Sequence, residues 1–426
     1  MRMARVTSGA VLAAMIATPH LGAQTLASRV DAVRDGTVQM TYAARPDACG
    51  DGDDVMALGR LFTVYPTVQG RGWSNNANCF FGPVRVVITR RDGETGTIRT
   101  YVGRVRRAPD GTTDLGTVST NEAATYFLEV AGVVGGRAAN SAIAAVAVAD
   151  SVDVWRQLLA LARNADRPRD VRNSALYWMS GIAPAEAVAP LATLARNSGE
   201  PRSLREGVIM TLGQMRDGAG VPTLIDFASR DRDGEPWLRD RAIFWLGNTG
   251  DDRARATLRT LASSDTLATD LREQAVFALG FLDQQGGNGP FLRTLYGRVD
   301  GCRLKDKIIQ SVAQLDETAD QRWLLDRVLD TREPTELRQT ALFWRAQKGS
   351  APLGELIALY PKLDSRELKD HYVFVLSQRH ERDAVDKMID LARNDPDREV
   401  RRKAMFWLGQ SRDPRVARFL EEEISK

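Results

Sequence analysis

The chain has 426 residues, 43% of them hydrophobic, and a formal charge of +3 from 58 basic and 55 acidic side chains. This length exceeds that of most single compact domains and predicts either several domains or a repeat array. The near balance of charge argues against a nucleic-acid partner or a polybasic membrane anchor, because both usually require a clear basic excess.

Residues 1–23 have the features of a secretory signal peptide. Arg2 and Arg5 give a basic start, a short apolar stretch follows, and cleavage is expected after Ala23. The bulky Leu21 fits the cleavage motif poorly, and a buried N-terminal helix is the alternative. No later stretch is long and apolar enough for a transmembrane helix, which needs about 20 residues. The sequence therefore predicts a periplasmic or secreted protein with no transmembrane segment.

The chain contains three cysteines, Cys49, Cys79 and Cys302. In an oxidising compartment the first two are natural partners, because both flank loop-rich sequence in the same N-terminal region. Closing a loop of this size would stabilise the fold by about 3–4 kcal/mol. The sequence predicts a Cys49–Cys79 disulfide, with two free thiols as the alternative, and an unpaired Cys302.

Residues 24–116 are predicted to form a small β-rich domain. Apolar and polar side chains alternate in several short segments, which is typical of strands with one buried face. Asp92-Gly93 lies between two such segments and indicates a hairpin turn. The predicted strands are Thr37–Ala43, Leu61–Val68, Val84–Thr89 and Ile98–Val102.

Three aspartates, Asp51, Asp53 and Asp54, lie in a turn-like segment of this domain. Their spacing loosely resembles a calcium loop, but the residue order and the distal glutamate of an EF-hand are absent. We therefore interpret the segment as a solvated acidic loop and predict no metal site.

From residue 117 to 426 the pattern becomes helical and repeats about every 33 residues. A basic residue recurs at intervals of 31 to 34 residues, and a small residue follows eight positions after each one. Eight copies in register predict a helical solenoid. The recurring basic residues are Arg172, Arg205, Arg239, Arg272, Lys305, Arg338, Lys369 and Arg401.

The clearest copy of the repeat is Leu271–Gly280, which reads Leu-Arg-Glu-Gln-Ala-Val-Phe-Ala-Leu-Gly. This pattern resembles the short HEAT repeats of the phycobilin-lyase-like family. The resemblance extends from Val152 to Lys426, and a degenerate repeat at Ser119–Asp150 would cap the array. It implies a mostly α fold, an α-α superhelix preceded by the small β-rich domain. Nothing in it implies a bilin substrate.

The recurring basic residue lies in the first turn of its helix, where the helix dipole does not favour a cation. We therefore predict that each one has a fixed partner, a carboxylate or a carbonyl group in a neighbouring repeat. This interpretation makes the eight residues a structural ladder. Ligand binding is the alternative.

One face of the second helix in each repeat is predicted to bind a partner. Counting from the basic residue at 100° per position, positions one, two, five and nine fall on a largely polar face. Position five is nevertheless aromatic in six of the eight repeats, and position nine is an amide in six. The predicted binding residues on these two rows are Tyr177, Phe244, Asn248, Phe277, Phe343, Gln347, Phe374, Gln378, Phe406 and Gln410.

An extended peptide would suit such a surface, because amides can pair with its backbone while aromatic rings contact its side chains. In HEAT-type solenoids the second helices line the concave side, which would place these rows in a groove. The alternative is burial, because adjacent second helices pack side by side. Tryptophans at position six, Trp178, Trp245, Trp344 and Trp407, are predicted to lie in the core.

No motif indicates catalysis. Apart from one in the signal segment, the histidines are His371 and His380, whose spacing points them to opposite sides of a continuous helix. No zinc-protease, paired-cysteine or nucleophile-elbow motif occurs. We predict a non-enzymatic protein without cofactor that binds a protein or extended peptide. The alternative is a structural component of a cell-envelope complex, docked through its N-terminal domain.

Overall fold

The computed structural model describes residues 24–51, 55–58, 61–62, 79–104, 108, 110–229, 235–281, 287–315, 318–347, 352–379 and 381–424. The predicted signal peptide and most of the predicted strand Leu61–Val68 lie outside these residues. Contacts divide the chain into two compact units, Met1–Ser174 and Ala175–Lys426.

The first unit contains seven strands within the described residues. They are β1 (Gly36–Tyr42), β2 (Ala48–Gly50), β3 (Val55–Leu58), β4 (Leu61–Phe62), β5 (Val84–Arg91), β6 (Glu94–Val102) and β7 (Thr112–Thr117). Four of them form a sheet in the order β6-β5-β1-β7, and β2, β3 and β4 form a smaller sheet. Pairing is antiparallel except between β1 and β7, which are parallel.

The predicted hairpin between β5 and β6 is confirmed. Its turn residues Asp92 and Gly93 have φ values of 53° and 83°, the left-handed conformation that a two-residue hairpin turn requires. Val86 and Ile88 of β5 and Ile98 of β6 are buried on one face of the sheet. Strand β7 was not predicted.

Four helices complete the first unit: α1 (Leu26–Asp31), α2 (Thr120–Val133), α3 (Gly136–Ala147) and α4 (Trp155–Arg163). Helix α3 packs against β6. The buried Tyr42 hydroxyl donates to the Ala145 carbonyl at 2.8 Å, and Thr100 Oγ1 donates to the Ser141 carbonyl at 2.8 Å. The sheet therefore shares its core with α3. The domain limit predicted at residue 116 stays a prediction.

Disulfide bonding agrees with the sequence. Cys49 and Cys79 form a disulfide, which confirms that prediction. Cys302, at the start of a helix in the second unit, is an exposed free cysteine. As for membrane association, none of the helices in the described part of the chain is long and apolar enough to cross a bilayer.

The remaining helices form consecutive pairs. Their bounds are α5 (Arg169–Ile182), α6 (Val188–Arg196), α7 (Arg202–Gln214), α8 (Val221–Ser229), α9 (Pro236–Asn248), α10 (Asp252–Ser263), α11 (Thr269–Phe281), α12 (Gly289–Tyr296), α13 (Cys302–Gln314), α14 (Thr318–Leu329), α15 (Thr335–Gln347), α16 (Leu353–Leu359), α17 (Arg366–Ser377), α18 (Arg382–Asn394), α19 (Arg398–Leu408) and α20 (Pro414–Ile424). The odd-numbered helices α5 to α19 are the second helices, and each carries one recurring basic residue. From α7 to α19, neighbouring second helices pack side by side. The predicted fold class is confirmed.

The recurring small residue eight positions after each basic one allows this side-by-side packing. A Cβ atom on Gly280 of α11 would lie 2.4 Å from the Ser311 Cβ of α13 and 2.6 Å from its backbone. A Cβ on Gly213 of α7 would lie 3.0 Å from the Trp245 Cβ of α9. Glycine is therefore required where second helices approach most closely.

Candidate functional site

The recurring arginines bind the helix that precedes their own. In four repeats the guanidinium Nε donates to the carbonyl of the penultimate residue of that helix. The pairs are Arg205 to Ala195 at 2.7 Å, Arg239 to Ala228 at 2.7 Å, Arg272 to Ala262 at 3.2 Å and Arg338 to Val328 at 2.8 Å. Carbonyl groups at a helix C-terminus lack intrahelical donors and carry the negative end of the dipole, so a cation is stabilised there.

Two of these arginines also bind a carboxylate of the next repeat. Arg205 pairs with Glu235, and Arg338 Nη2 lies 2.7 Å from Asp364 Oδ1. Each arginine lowers the pKa of its carboxyl partner, chiefly through the side-chain hydrogen bond. The carbonyl partner thus belongs to the same repeat and the carboxylate to the following one.

The other members of the row differ in their contacts. Arg401 Nη1 donates to the Pro396 carbonyl at 3.1 Å. The lysines lie over aromatic rings: the Lys305 Nζ is 5.0 Å from the Tyr296 ring centroid, and the Lys369 Nζ is 5.5 Å from that of Tyr360. Arg172 is half-buried, and its Nε has no hydrogen-bond partner among the described residues. Most contacts of the row therefore support the structural interpretation.

The aromatic row at position five consists of Tyr177, Phe244, Phe277, Phe343, Phe374 and Phe406, and none of these side chains is buried. Phe244 and Phe277 are each 37% exposed and Phe406 is 59% exposed. The other three are half-buried. Solvent can therefore reach part of every ring in the row.

Neighbouring rings of this row make contact near the C-terminus. The Phe343 and Phe374 centroids lie 6.5 Å apart with nearly parallel planes, and Phe374 lies 5.3 Å from Trp407. Of the four tryptophans predicted to lie in the core, Trp178 is buried, whereas Trp245, Trp344 and Trp407 are only half-buried. The core prediction is wrong for those three, because their rings lie between adjacent second helices near the surface.

The amides at position nine fall into two groups. Gln347, Gln378 and Gln410 are exposed. Asn248 is half-buried, and its Nδ2 donates to the Phe244 carbonyl of its own helix at 2.9 Å. The accessible amides thus lie in the last three repeats, on α15 and just beyond the ends of α17 and α19.

A second row of contacts joins adjacent second helices and was not predicted. An acidic residue at position one faces position two of the next repeat. The pairs are Glu206 with Arg241 at 3.9 Å, Asp306 with Thr340 at 2.7 Å and Asp370 with Lys403 at 3.9 Å. The sequence signal was present, since position one is acidic in five repeats, but the pairing depends on how each helix is rotated.

His371 and Asp370 are the titratable pair closest to the aromatic row. The His371 ring lies 5.7 Å from Phe374, and burial lowers the pKa of the imidazole. Burial raises the pKa of the Asp370 carboxyl. His380 lies outside the described residues. No cluster of three His, Cys, Asp or Glu side chains suited to a metal ion occurs in the part of the chain that the structure describes.

A groove of about 620 Å³ crosses four second helices, α7, α9, α11 and α13. Phe244 and Phe277 of the aromatic row line it together with Ile243. Charged and polar side chains from positions on either side complete the walls: Arg202, Asp240, Arg241, Asp270, Glu273, Gln274, Arg303 and Lys307, with Trp237 at one end. This size is within the range of small-ligand and peptide side-chain sites.

Among solved structures, the chain is similar to three helical proteins. Lipovitellin shares 14% identity over 79% of this chain and 41% of its own, with a TM-score of 0.48. Kap95p bound to RanGDP shares 12% identity over 68% and 46% of the two chains, with a TM-score of 0.38. The CpcE–CpcF phycocyanin lyase of Nostoc sp. PCC7120 shares 18% identity over 56% and 93%, with a TM-score of 0.26.

This chain spans less than half the length of the lipovitellin and Kap95p chains. A search of curated protein sequences found no match. Residues 238–264 match the family model of the PBS lyase HEAT-like repeat. The matched segment contains most of the second helix α9 and the following first helix α10. Together with the helix pairs of the second unit, this match shows that the chain carries HEAT-like repeats and confirms the predicted resemblance.

Proposed function

We propose that this protein is an exported, non-catalytic scaffold that binds an extended peptide segment along the second-helix face of its repeats. The observation that carries the proposal is the accessibility of the aromatic row, since none of its six side chains is buried. Exposed aromatic rings on an otherwise polar face are typical of binding surfaces.

Two neighbouring features support the same face. The groove between α7 and α13 gives Phe244 and Phe277 a concave setting in which side chains of a partner could lie. Further along, the amides Gln347, Gln378 and Gln410 are exposed and offer both donors and acceptors to a peptide backbone. Export is supported by the signal-like segment and by the Cys49–Cys79 disulfide.

A non-catalytic role is consistent with the polar groups of this face. Several of its carboxylates are engaged between repeats: Glu206 faces Arg241, Asp306 accepts from Thr340, and Asp370 faces Lys403. Groups fixed in this way hold the surface in shape and are poorly placed to transfer protons to a substrate.

A pull-down from cell-envelope extract tests the proposal, with wild type compared with the Phe244→Ala, Phe277→Ala double variant. We expect the variant to fold normally, because both rings are partly exposed, and to lose at least one co-purifying protein. Phe81→Ser is the matched control, since Phe81 is a 70% exposed phenylalanine of the first unit.

The two variants separate the proposal from docking through the N-terminal domain. Loss of the partner in the groove variant alone supports the second-helix face. Loss in Phe81→Ser alone would favour the first unit as the docking site and contradict the proposal.

A further inference from the structure

The charged side chains of the groove are unequally paired. Its lining contains four cations, Arg202, Arg241, Arg303 and Lys307, and three carboxylates, Asp240, Asp270 and Glu273. The excess of positive charge is small, so the state of each group decides what the groove can accept.

Arg303 neutralises two of the carboxylates. Its Nη2 lies 2.7 Å from Asp270 Oδ1, and its Nε lies 3.0 Å or less, at 2.9 Å, from Glu273 Oε1. These three groups form an internal network on α11 and α13. They leave no anionic site on that side for a ligand.

Two cations lack such a partner. Arg241 faces Glu206 at 3.9 Å, but that carboxylate already accepts a 3.0 Å hydrogen bond from Arg202. The Arg241 side chain is 48% exposed. Lys307 donates at 2.9 Å to the neutral amide oxygen of Gln310 and has no ion pair among the described residues.

Arg241 and Lys307 occupy equivalent places on α9 and α13, two positions after the recurring basic residue. One second helix, α11, lies between them. At about 8–10 Å per helix the two cations are separated by about 16–20 Å, which equals five or six residues of an extended strand. The exposed rings of Phe244 and Phe277 lie on the intervening helices.

Asp240 limits where an anion could lie. This carboxylate lines the groove beside Phe244 and has no ion pair among the described residues. A negative charge in the centre of the groove would be repelled by it, whereas one at either end would approach Arg241 or Lys307.

From these positions we infer that the groove binds an extended peptide segment with an apolar centre and an acidic residue at each end. The inference rests on the proposed function and specifies its partner. Apolar side chains at the centre contact Phe244 and Phe277, and the two terminal carboxylates pair with Arg241 and Lys307.

Fluorescence anisotropy with three labelled peptides tests the inference. Each peptide has about seven residues, matching the span between the cations, with alternating leucine and serine between its ends. The ends are glutamate, glutamine or lysine. We expect the glutamate peptide to bind most tightly, with an affinity that falls as salt is added.

Charge-removing variants locate the contacts. Arg241→Gln and Lys307→Gln should each weaken the glutamate peptide about three- to five-fold, the range of partly exposed charge pairs, and leave the glutamine peptide unchanged. Asp240→Asn should strengthen binding of the glutamate peptide. The control, Lys362→Gln with Arg382→Gln, removes two exposed cations that do not line the groove.

The outcomes distinguish the two proposals. Equal binding of all three peptides, or tightest binding of the lysine peptide, overturns the acidic-end inference. If binding is equal and Phe244→Ala, Phe277→Ala abolishes it, the groove still binds peptides and the proposed function stands. If none of the peptides binds, both the inference and peptide binding by this groove are contradicted.

Discussion

The two units of the molecule are held together by contacts of very different reach along the chain. In the first, buried bonds join distant residues: Tyr42 bonds to Ala145, and Thr100 bonds to Ser141. In the second, Arg205 and Arg338 reach only the preceding helix and the following repeat. Long-range contacts make a unit cooperative, whereas nearest-neighbour contacts make stability a sum over repeats. Substitutions in the two units should therefore differ in both size and reach.

The largest effect should come from the disulfide. Replacing Cys49 and Cys79 by serine should lower the free energy of unfolding of the first unit by about 3–4 kcal/mol, because the unfolded chain loses a 30-residue loop constraint. Denaturant titration followed by limited proteolysis can assign the loss to that unit. Cys302→Ser is the control and should change nothing. Equal destabilisation of both units would contradict the separation between them.

A recurring arginine should matter next. Arg338→Met removes the bond to the Val328 carbonyl and the pair with Asp364, and we expect a loss of about 2–3 kcal/mol. Hydrogen exchange should show the loss concentrated in the helices around α15. Arg332→Met, in the loop before that helix and 88% exposed, should have far less effect. A loss spread evenly over all repeats would argue against nearest-neighbour coupling.

The close approach of α11 and α13 gives a smaller effect. Gly280→Ala places a methyl group against the Ser311 backbone, and the resulting displacement should cost about 1–2 kcal/mol. In contrast, Gly354→Ala has nothing within 4 Å of the new carbon and should be neutral or stabilising. Thermal unfolding measures both. Tolerance of alanine at position 280 would show that the helices can separate freely.

The smallest effect is a pH dependence. Arg338 holds the pKa of Asp364 below the value of about 3.9 expected in the unfolded chain. The pair therefore stabilises the fold above that value, and its contribution disappears as the pH falls through the folded pKa. Since the carboxylate is 42% exposed, we expect less than about 1 kcal/mol.

Comparing Asp364→Asn with Glu336→Gln in acid unfolding series checks this dependence. The first should flatten the fall in stability below about pH 4, and the second, an exposed residue on α15, should not. Identical acid profiles for the two variants would show that the Arg338 pair contributes nothing.

The repeats were predictable because their information is local. The period, the basic residue and the small residue eight positions later are all fixed by contacts within one or two repeats, as Gly280 and Arg272 illustrate. Strand β7 was missed because Thr112–Thr117 has only one apolar side chain, Leu115, and its parallel partner β1 lies far away in sequence. Alternation of side chains cannot reveal such an edge strand.

The candidate site was only partly predictable for a similar reason. Helical periodicity placed Phe244 and Phe277 on the face that bears the groove. It could not show that Arg303 neutralises Asp270 and Glu273, since that depends on the distance and rotation between helices. The same limitation explains why the half-buried Trp245 and Trp407 were assigned to the core.

The forward reach of Arg205 and Arg338 gives the repeat a definite reading frame for gene duplication. A copied repeat brings its own arginine and its own anchoring carbonyl, but the carboxylate is encoded about 26 to 30 residues downstream. An insertion or deletion of one whole period preserves every partner, whatever its starting point. Any other length strands one arginine. Lengthening by complete units is therefore the change in size that this array can accept most readily.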